Sequence, residues 1–217
     1  MSIDYDVILF DLDGTLTDPK DGILNSILYA LKWLGIIEND PNRLLKFIGP
    51  PLKDSYMEYY GLEEDMAVQA IEKYREYFST KGIFENKVYP GIPELLEELS
   101  SLGKTLVLAT SKPTIFAQRI LDHFNLASYF HFTAGSNLDG SRTRKSEVID
   151  YALNASCLPT HSKAVMIGDR KYDIIGAKEI GIDSIGVLYG YGSRQELEKE
   201  NPTHIVNYPD DLRVILC

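Results

Sequence analysis

The sequence predicts an α/β fold, a parallel β-sheet layered with helices and interrupted near its start by an all-helical insertion. Three observations predict it. The run Val7-Ile8-Leu9-Phe10 is apolar without alternation, which suits a strand buried on both faces of a parallel sheet. After Pro93, strand-length apolar runs alternate with segments of helical period, the pattern of right-handed crossovers. Between these two regions, residues 18–85 carry helical periodicity and no strand pattern.

The elements follow in order. Asp18-Pro19 opens the first helix of the insertion, and Ile23, Ile27, Leu31 and Leu34 recur at helical spacing up to the stop at Gly35, with Leu24 and Leu28 widening the stripe. A short helix over 43–47 is broken by Gly49-Pro50-Pro51, and another covers 53–60. Glu63-Glu64-Asp65 place acid in the first turn of the next helix, whose apolar face is Ala67, Ala70, Ile71, Tyr74 and Phe78. Val88-Tyr89-Pro90-Gly91 reads as the return linker, and Pro93 opens a helix carrying Leu95, Leu96 and Leu99. Strands are then expected at 105–109, 129–134, 164–167, 184–188 and 204–206, with helices at 113–124, 145–154, 172–180, 193–200 and 209–216. The expected domains are an α/β core of residues 1–17 and 86–217 and an inserted helical domain of residues 18–85.

A chain of 217 residues can form one sizeable domain, or a core with a smaller insertion. Its 44% hydrophobic and 25% charged residues are ordinary for a globular protein. A net charge of −10 and a pI near 4.9 argue against a nucleic-acid polymer or an anionic membrane as partner, since both need basic patches. The two cysteines, Cys157 and Cys217, make no disulfide framework and lack metal-ligand spacing, which points to a reducing cytoplasm. No basic leader and no apolar run of about 18 residues is present, so a cytoplasmic protein away from membranes is expected.

The chemistry concentrates at strand ends. The first strand runs into Asp11-Leu12-Asp13-Gly14-Thr15, and in open α/β sheets the C-terminal edge of the strands is where ligands bind. Asp11 and Asp13 stand two residues apart, and paired carboxylates repel unless a cation or a proton intervenes. Oxygen-only ligation of this kind suits Mg²⁺, completed by water and substrate phosphate. One carboxylate can then act as nucleophile and the other can handle the leaving group's proton. A second strand ends in Thr110-Ser111-Lys112-Pro113 before a helix, where hydroxyls and free N–H groups fit a phosphate oxygen or simply cap the helix. Arg142, Arg144 and Lys145 place cations at another helix start, against the macrodipole. A third apolar strand ends in Gly168-Asp169-Arg170-Lys171-Tyr172-Asp173. Any one of these could be a polar turn or a cap, but several strand ends carrying compatible groups are hard to explain that way.

Asp11-Leu12-Asp13-Gly14-Thr15 resembles the first motif of the haloacid dehalogenase superfamily of phosphatases, and Thr110, Lys145 and Gly168-Asp169 to Asp173 resemble its second, third and fourth. The resemblance implies a Rossmann-like parallel core with a small helical cap. It makes Asp11 the phosphorylated nucleophile, Asp13 the acid/base that separates phosphatases from dehalogenases, Thr110 the phosphate-binding hydroxyl and Lys145 the charge-stabilising lysine. Gly14, Thr15, Ser111 and Lys112 are then expected to contact the substrate phosphate, although Ser111 stands where many relatives carry Asn. Asp11, Asp13, Asp169 and Asp173 are expected to form the Mg²⁺ site, Asp173 by orienting the lysine or a metal-bound water. Arg142 and Arg144 stay outside this set.

Phe47 to Leu52, Asn86 to Gly91 and Gly186 to Gly192 resemble the 5′-nucleotidase-like branch, near the phosphoglycolate phosphatase-like enzymes. The expected function is Mg²⁺-dependent hydrolysis of small phosphomonoesters, of nucleoside monophosphate or phosphoglycolate type, through an aspartyl-phosphate. A sugar phosphomutase of the same fold is the alternative, and a catalytically silent regulatory or binding member another. The partner is a small phosphorylated metabolite, and the chain is expected as a monomer or small homo-oligomer. Arg43, Lys46, Lys53 and Arg75 are candidate substrate contacts or plain surface charges. Tyr56, Tyr59 and Tyr60 could stack a base, and at their spacing they also suit half-buried packing.

Overall fold

The structure, a computed structural model, describes residues 4–156 and 162–217. Cys157 lies outside the described residues, and Cys217 is an exposed free thiol. In chain order the elements are β1 (Val7–Phe10), β2 (Thr17–Asp18), α1 (Lys20–Trp33), α2 (Pro41–Leu45), α3 (Leu52–Tyr60), α4 (Glu64–Phe78), β3 (Lys87–Val88), α5 (Ile92–Ser101), β4 (Thr105–Pro113), α6 (Thr114–His123), β5 (Phe132–Ser136), α7 (Lys145–Ala155), β6 (Ala164–Gly168), α8 (Lys171–Ile180), β7 (Asp183–Val187), α9 (Arg194–Lys199), β8 (His204–Val206) and α10 (Pro209–Leu216). Contacts divide them into two units, Met1–Asp18 with Val88–Cys217, and Pro19–Lys87.

The larger unit is a six-stranded sheet in the order β5-β4-β1-β6-β7-β8, with every pairing parallel. β1 lies between β4 and β6, with Phe10 opposite both Leu108 and Ile167. All four residues of β1 are buried, as their unbroken apolar character requires. Val7 and Leu9 join Val107, Ala109 and Met166 in a cluster with Val148, Ile149 and Ala152 of α7 and Ala177 of α8. Ile8 and Phe10 point the other way by strand alternation and are equally buried, on the side where α5 packs with α10 and β4.

Three local features differ from the sequence expectation. β4 continues to Pro113 rather than ending at Ala109, because after an irregularity Pro113 pairs with Ser136. β5 begins at Phe132 and not at Tyr129, since residues Ala127–Tyr129 form a 3₁₀ turn. The return segment is not a plain linker, for β3 pairs with β2.

The helical unit is built on α1 packed against α4, with Ile23, Ile27, Ala30 and Leu31 buried on one and Ala67, Ala70, Tyr74 and Phe78 on the other. Tyr56 of α3 is fully buried against Phe47, their rings 5.0 Å apart, so it packs and does not present a face for stacking. Arg43 pairs with Glu38 and Lys53 with Glu64, both near the surface. A tight approach in this unit is at Gly22, where a Cβ would lie 1.9 Å from the Gly82 carbonyl oxygen. Gly22→Ala should therefore force α1 off that turn and lower stability by about 1–3 kcal/mol, the usual range for overpacking. Thermal denaturation checks it, and an unchanged Tm would show that the approach relaxes freely.

Candidate active site

Asp11 leaves the C-terminal end of β1, Thr110 the paired part of β4, and Asp169 the end of β6. Because β4, β1 and β6 are adjacent and parallel, three distant segments deliver polar groups to one edge of the sheet. After β1 the chain reaches β4 on one side and only later β6 on the other, which makes this the switch point where open α/β sheets bind ligands.

Lys145, the first residue of α7, is the centre of the arrangement. Its Nζ donates to Asp11 Oδ1 at 2.8 Å and to the Ala109 carbonyl oxygen at 3.1 Å, and lies 2.8 Å from Asp173 Oδ1. Burial disfavours its charge, but Asp11 and Asp173 more than offset this and push the ammonium above its ordinary range. The macrodipole penalty noted from sequence is met by this pair of carboxylates. Asp173 also accepts from the Arg170 backbone N–H at 3.0 Å, while burial raises its carboxyl to about 6 against the pull of Lys145.

Asp11, Asp169 and Asp173 each bring a carboxylate oxygen within 4.8 Å of the others, the one such acidic, His or Cys group of three among the described residues. The donor set fits a hard cation. Asp169 is fully buried, its Oδ1 has no hydrogen-bond partner, and burial with the nearby charges of Asp173 and Asp11 pushes its carboxyl well up. Of these three carboxylates Lys145 pairs with Asp11 and Asp173, and the buried Asp169 Oδ1 fits a ligand of a cation. All-oxygen ligation points to a Mg²⁺, Ca²⁺ or Mn²⁺ type of ion.

Asp13, expected among the metal ligands, is turned to Lys112 instead, with Nζ 2.7 Å from Oδ2. Burial raises the Asp13 carboxyl and Lys112 opposes the shift. Lys112, expected at the substrate, is thus tied to the acid/base candidate. The Thr110 hydroxyl is buried and accepts from the Lys112 backbone N–H at 3.3 Å, and the Ser111 carbonyl accepts from Ser136 Oγ at 2.8 Å. Thr15 is wholly buried, its hydroxyl without a hydrogen-bond partner and its carbonyl accepting from Tyr189. Gly14, at φ +88°, packs so closely on Asp169 that a Cβ would lie 2.2 Å from Oδ2. Arg142 and Arg144 are engaged elsewhere, Arg142 over the Tyr151 ring at 3.8 Å and on the Gly135 carbonyl, Arg144 on Glu179.

Sequence reasoning assigned no role to residues 188–192. Their Tyr191 N–H donates to Asp169 Oδ2 at 2.7 Å. The repeated Tyr-Gly pattern was visible, but nothing in it announces a backbone donor.

A parallel sheet that gathers a lysine-paired aspartate, a second buried aspartate and a cation-fitting carboxylate group at its switch point is the site of a hydrolase. The chain belongs to the haloacid dehalogenase-like hydrolase family, which matches it over residues 8–187. A 5′-nucleotidase of Pseudomonas aeruginosa is 50% identical over 200 residues, covering 92% of this chain and 90% of its own. A protein of Mycobacterium tuberculosis named tyrosine-protein kinase PtkA is 38% identical over 212 residues, covering 97% of this chain and 72% of its own. The crystal structure of a predicted phosphatase from Clostridium acetobutylicum superposes with a TM-score of 0.93 at 50% identity, covering 98% of both chains. Among the described residues no helix is long and apolar enough to cross a membrane.

Proposed function

We propose that the chain is a Mg²⁺-dependent phosphatase of small phosphomonoesters, with 5′-nucleoside monophosphates ahead of phosphoglycolate-like substrates. The observation that carries the chemistry is the contact of Lys145 with both Asp11 and Asp173 beside an Asp169 oxygen that has no partner. The preference among substrates rests on likeness to the 5′-nucleotidase of Pseudomonas aeruginosa.

In this reading an Asp11 oxygen attacks phosphorus as the ester P–O bond breaks, and Asp13 gives its proton to the departing alcohol. Asp13 then takes a proton from water as that water attacks the phosphorus, releasing phosphate and restoring the Asp11 carboxylate. Lys145 holds Asp11 in place and faces the growing negative charge. Thr110 and nearby backbone N–H groups orient the phosphoryl oxygens, with Gly14, Thr15 and Ser111 shaping the turn around them. Asp11, Asp169 and Asp173 would hold the metal, which when bound neutralises phosphoryl charge. Lys112 fixes the Asp13 carboxylate. The helical unit, with bounds near residues 18 and 85, is assigned the role of a cap that limits water at the site.

The test is phosphate release from nucleoside monophosphates, phosphoglycolate and sugar phosphates, with Mg²⁺ and after chelation. Release should depend on Mg²⁺ and be greatest with the nucleotides. Metal-independent release, or none from any ester, would overturn the assignment, and transfer between sugar hydroxyls without free phosphate would replace it with a mutase.

A further inference from the structure

We propose that residues 188–192 are a positioning device for Asp169: this loop clamps one carboxylate oxygen and the backbone of Asp169, and two tyrosine hydroxyls anchor the loop to the turn that follows the nucleophile. The inference rests on the metal reading given above and adds to it the residues that keep the metal-binding carboxylate aimed.

The geometry begins with the sheet. β7 is parallel to β6 and beside it, with Gly168 opposite Gly186, so the loop after β7 leaves at the same edge as Asp169 and one strand over. There the chain closes on Asp169 from two sides. A Cβ on Gly190 would lie 2.4 Å from Asp169 Cβ and 2.3 Å from the Gly14 carbonyl oxygen. One on Gly192 would lie 1.8 Å from the Asp169 carbonyl oxygen. Only residues without a side chain can pass so near. Between them the Tyr191 N–H donates to Asp169 Oδ2 at 2.7 Å, leaving Oδ1 as the oxygen with no partner. A carboxylate with one oxygen tied by a backbone donor has its other oxygen fixed in direction, which is how outer partners tune a metal ligand.

The loop is itself tied down. Tyr189 donates through its hydroxyl to the Thr15 carbonyl oxygen at 3.0 Å, and the Tyr191 hydroxyl donates to the Asp18 carboxylate. The Tyr189 ring also meets the Tyr89 ring edge-on, 5.0 Å between centroids, and Tyr89 N–H donates to the Leu16 carbonyl oxygen. Both hydroxyl bonds end in residues 15–18, directly after the Asp11 and Asp13 turn. The position of the Asp169 carboxylate is thereby referred to the strand that carries Asp11.

The test uses Tyr189→Phe, Tyr191→Phe and the double variant, which keep the rings and remove the hydroxyl ties. Binding of Mn²⁺, a spin probe for a hard oxygen site, is measured by electron paramagnetic resonance on the full chain without substrate, together with Tm. The double variant should weaken Mn²⁺ binding about tenfold, the lower end of the range for lost outer partners, and each single variant less, at temperatures well below Tm. Gly22→Ala, which loosens the helical unit, should leave the Mn²⁺ constant unchanged. Binding by the double variant within about twofold of wild type would overturn the positioning role while leaving the metal site standing. Wild-type protein that binds no Mn²⁺, or Asp169→Asn that binds it as well as wild type, would overturn the metal reading and this inference with it.

Discussion

Asp11→Asn should abolish phosphate release, by at least about 10³-fold, while the protein stays folded. An amide is a poor nucleophile toward phosphorus, and loss of a covalent nucleophile removes the whole two-step route rather than one contact of many. The fold should tolerate the change. Asn keeps the shape of the side chain, Lys145 retains Asp173 at 2.8 Å, and one of three crowded carboxylate charges is removed. Steady-state assay with Mg²⁺ present, alongside thermal denaturation, separates the two effects. A variant that hydrolyses at the wild-type rate would show that another group carries the phosphoryl transfer. A variant that unfolds would assign Asp11 a structural part it does not have in this reading.

Lys145→Met should cost both activity and stability, which sets it apart from the first variant. The methionine keeps the stem that lies against Gly176, where a glycine Cβ would come within 2.9 Å of Lys145 Cγ. What is lost is the charge. Two buried carboxylates then face each other with no ammonium, and breaking a buried pair by removing one partner typically costs about 3–5 kcal/mol. For a chain of this size that corresponds to a Tm lower by roughly 6–20 °C without metal. Saturating Mg²⁺ should recover part of the loss, because a ligand that binds only the folded state stabilises it. Turnover should fall by about 10²–10³, as for other single electrostatic donors aimed at developing charge. A loss below about tenfold would take Lys145 out of the reaction.

The parts of this centre that the sequence made legible are those whose chemistry sits in the chain locally. Asp11 follows an apolar run that suits a buried strand, and Asp169 follows another, so both were placed at strand ends from pattern alone. Lys145 was visible as a cation against the macrodipole, and its two carboxylate partners explain why it is tolerated there. The pairing of Lys112 with Asp13 was not legible, because it depends on β4 running past its paired stretch to Pro113, which in turn depends on Ser136. The orientation of the Thr15 hydroxyl is a matter of rotamer and packing, to which residue type is silent. Residues 188–192 act through a backbone N–H and through the absence of side chains, so a search for reactive groups passes over them. Tyr56, one of the aromatic candidates, is core rather than half-buried as its spacing suggested, being fully buried against Phe47.

The placement of β1 between β4 and β6 has a consequence for how the chain comes to life. Val7 pairs with Thr105, about a hundred residues away, and with Ala164, farther still, with the whole helical unit threaded into the first of these gaps. Closing loops of that size costs entropy before any contact rewards it, and long-range parallel pairing is correspondingly slow. An incompletely folded chain therefore carries every reactive group and no reactive centre. Asp11, Lys145, Asp169 and Asp173 meet only when the middle of the sheet has closed, so in the proposed reading the onset of chemistry coincides with completion of the fold.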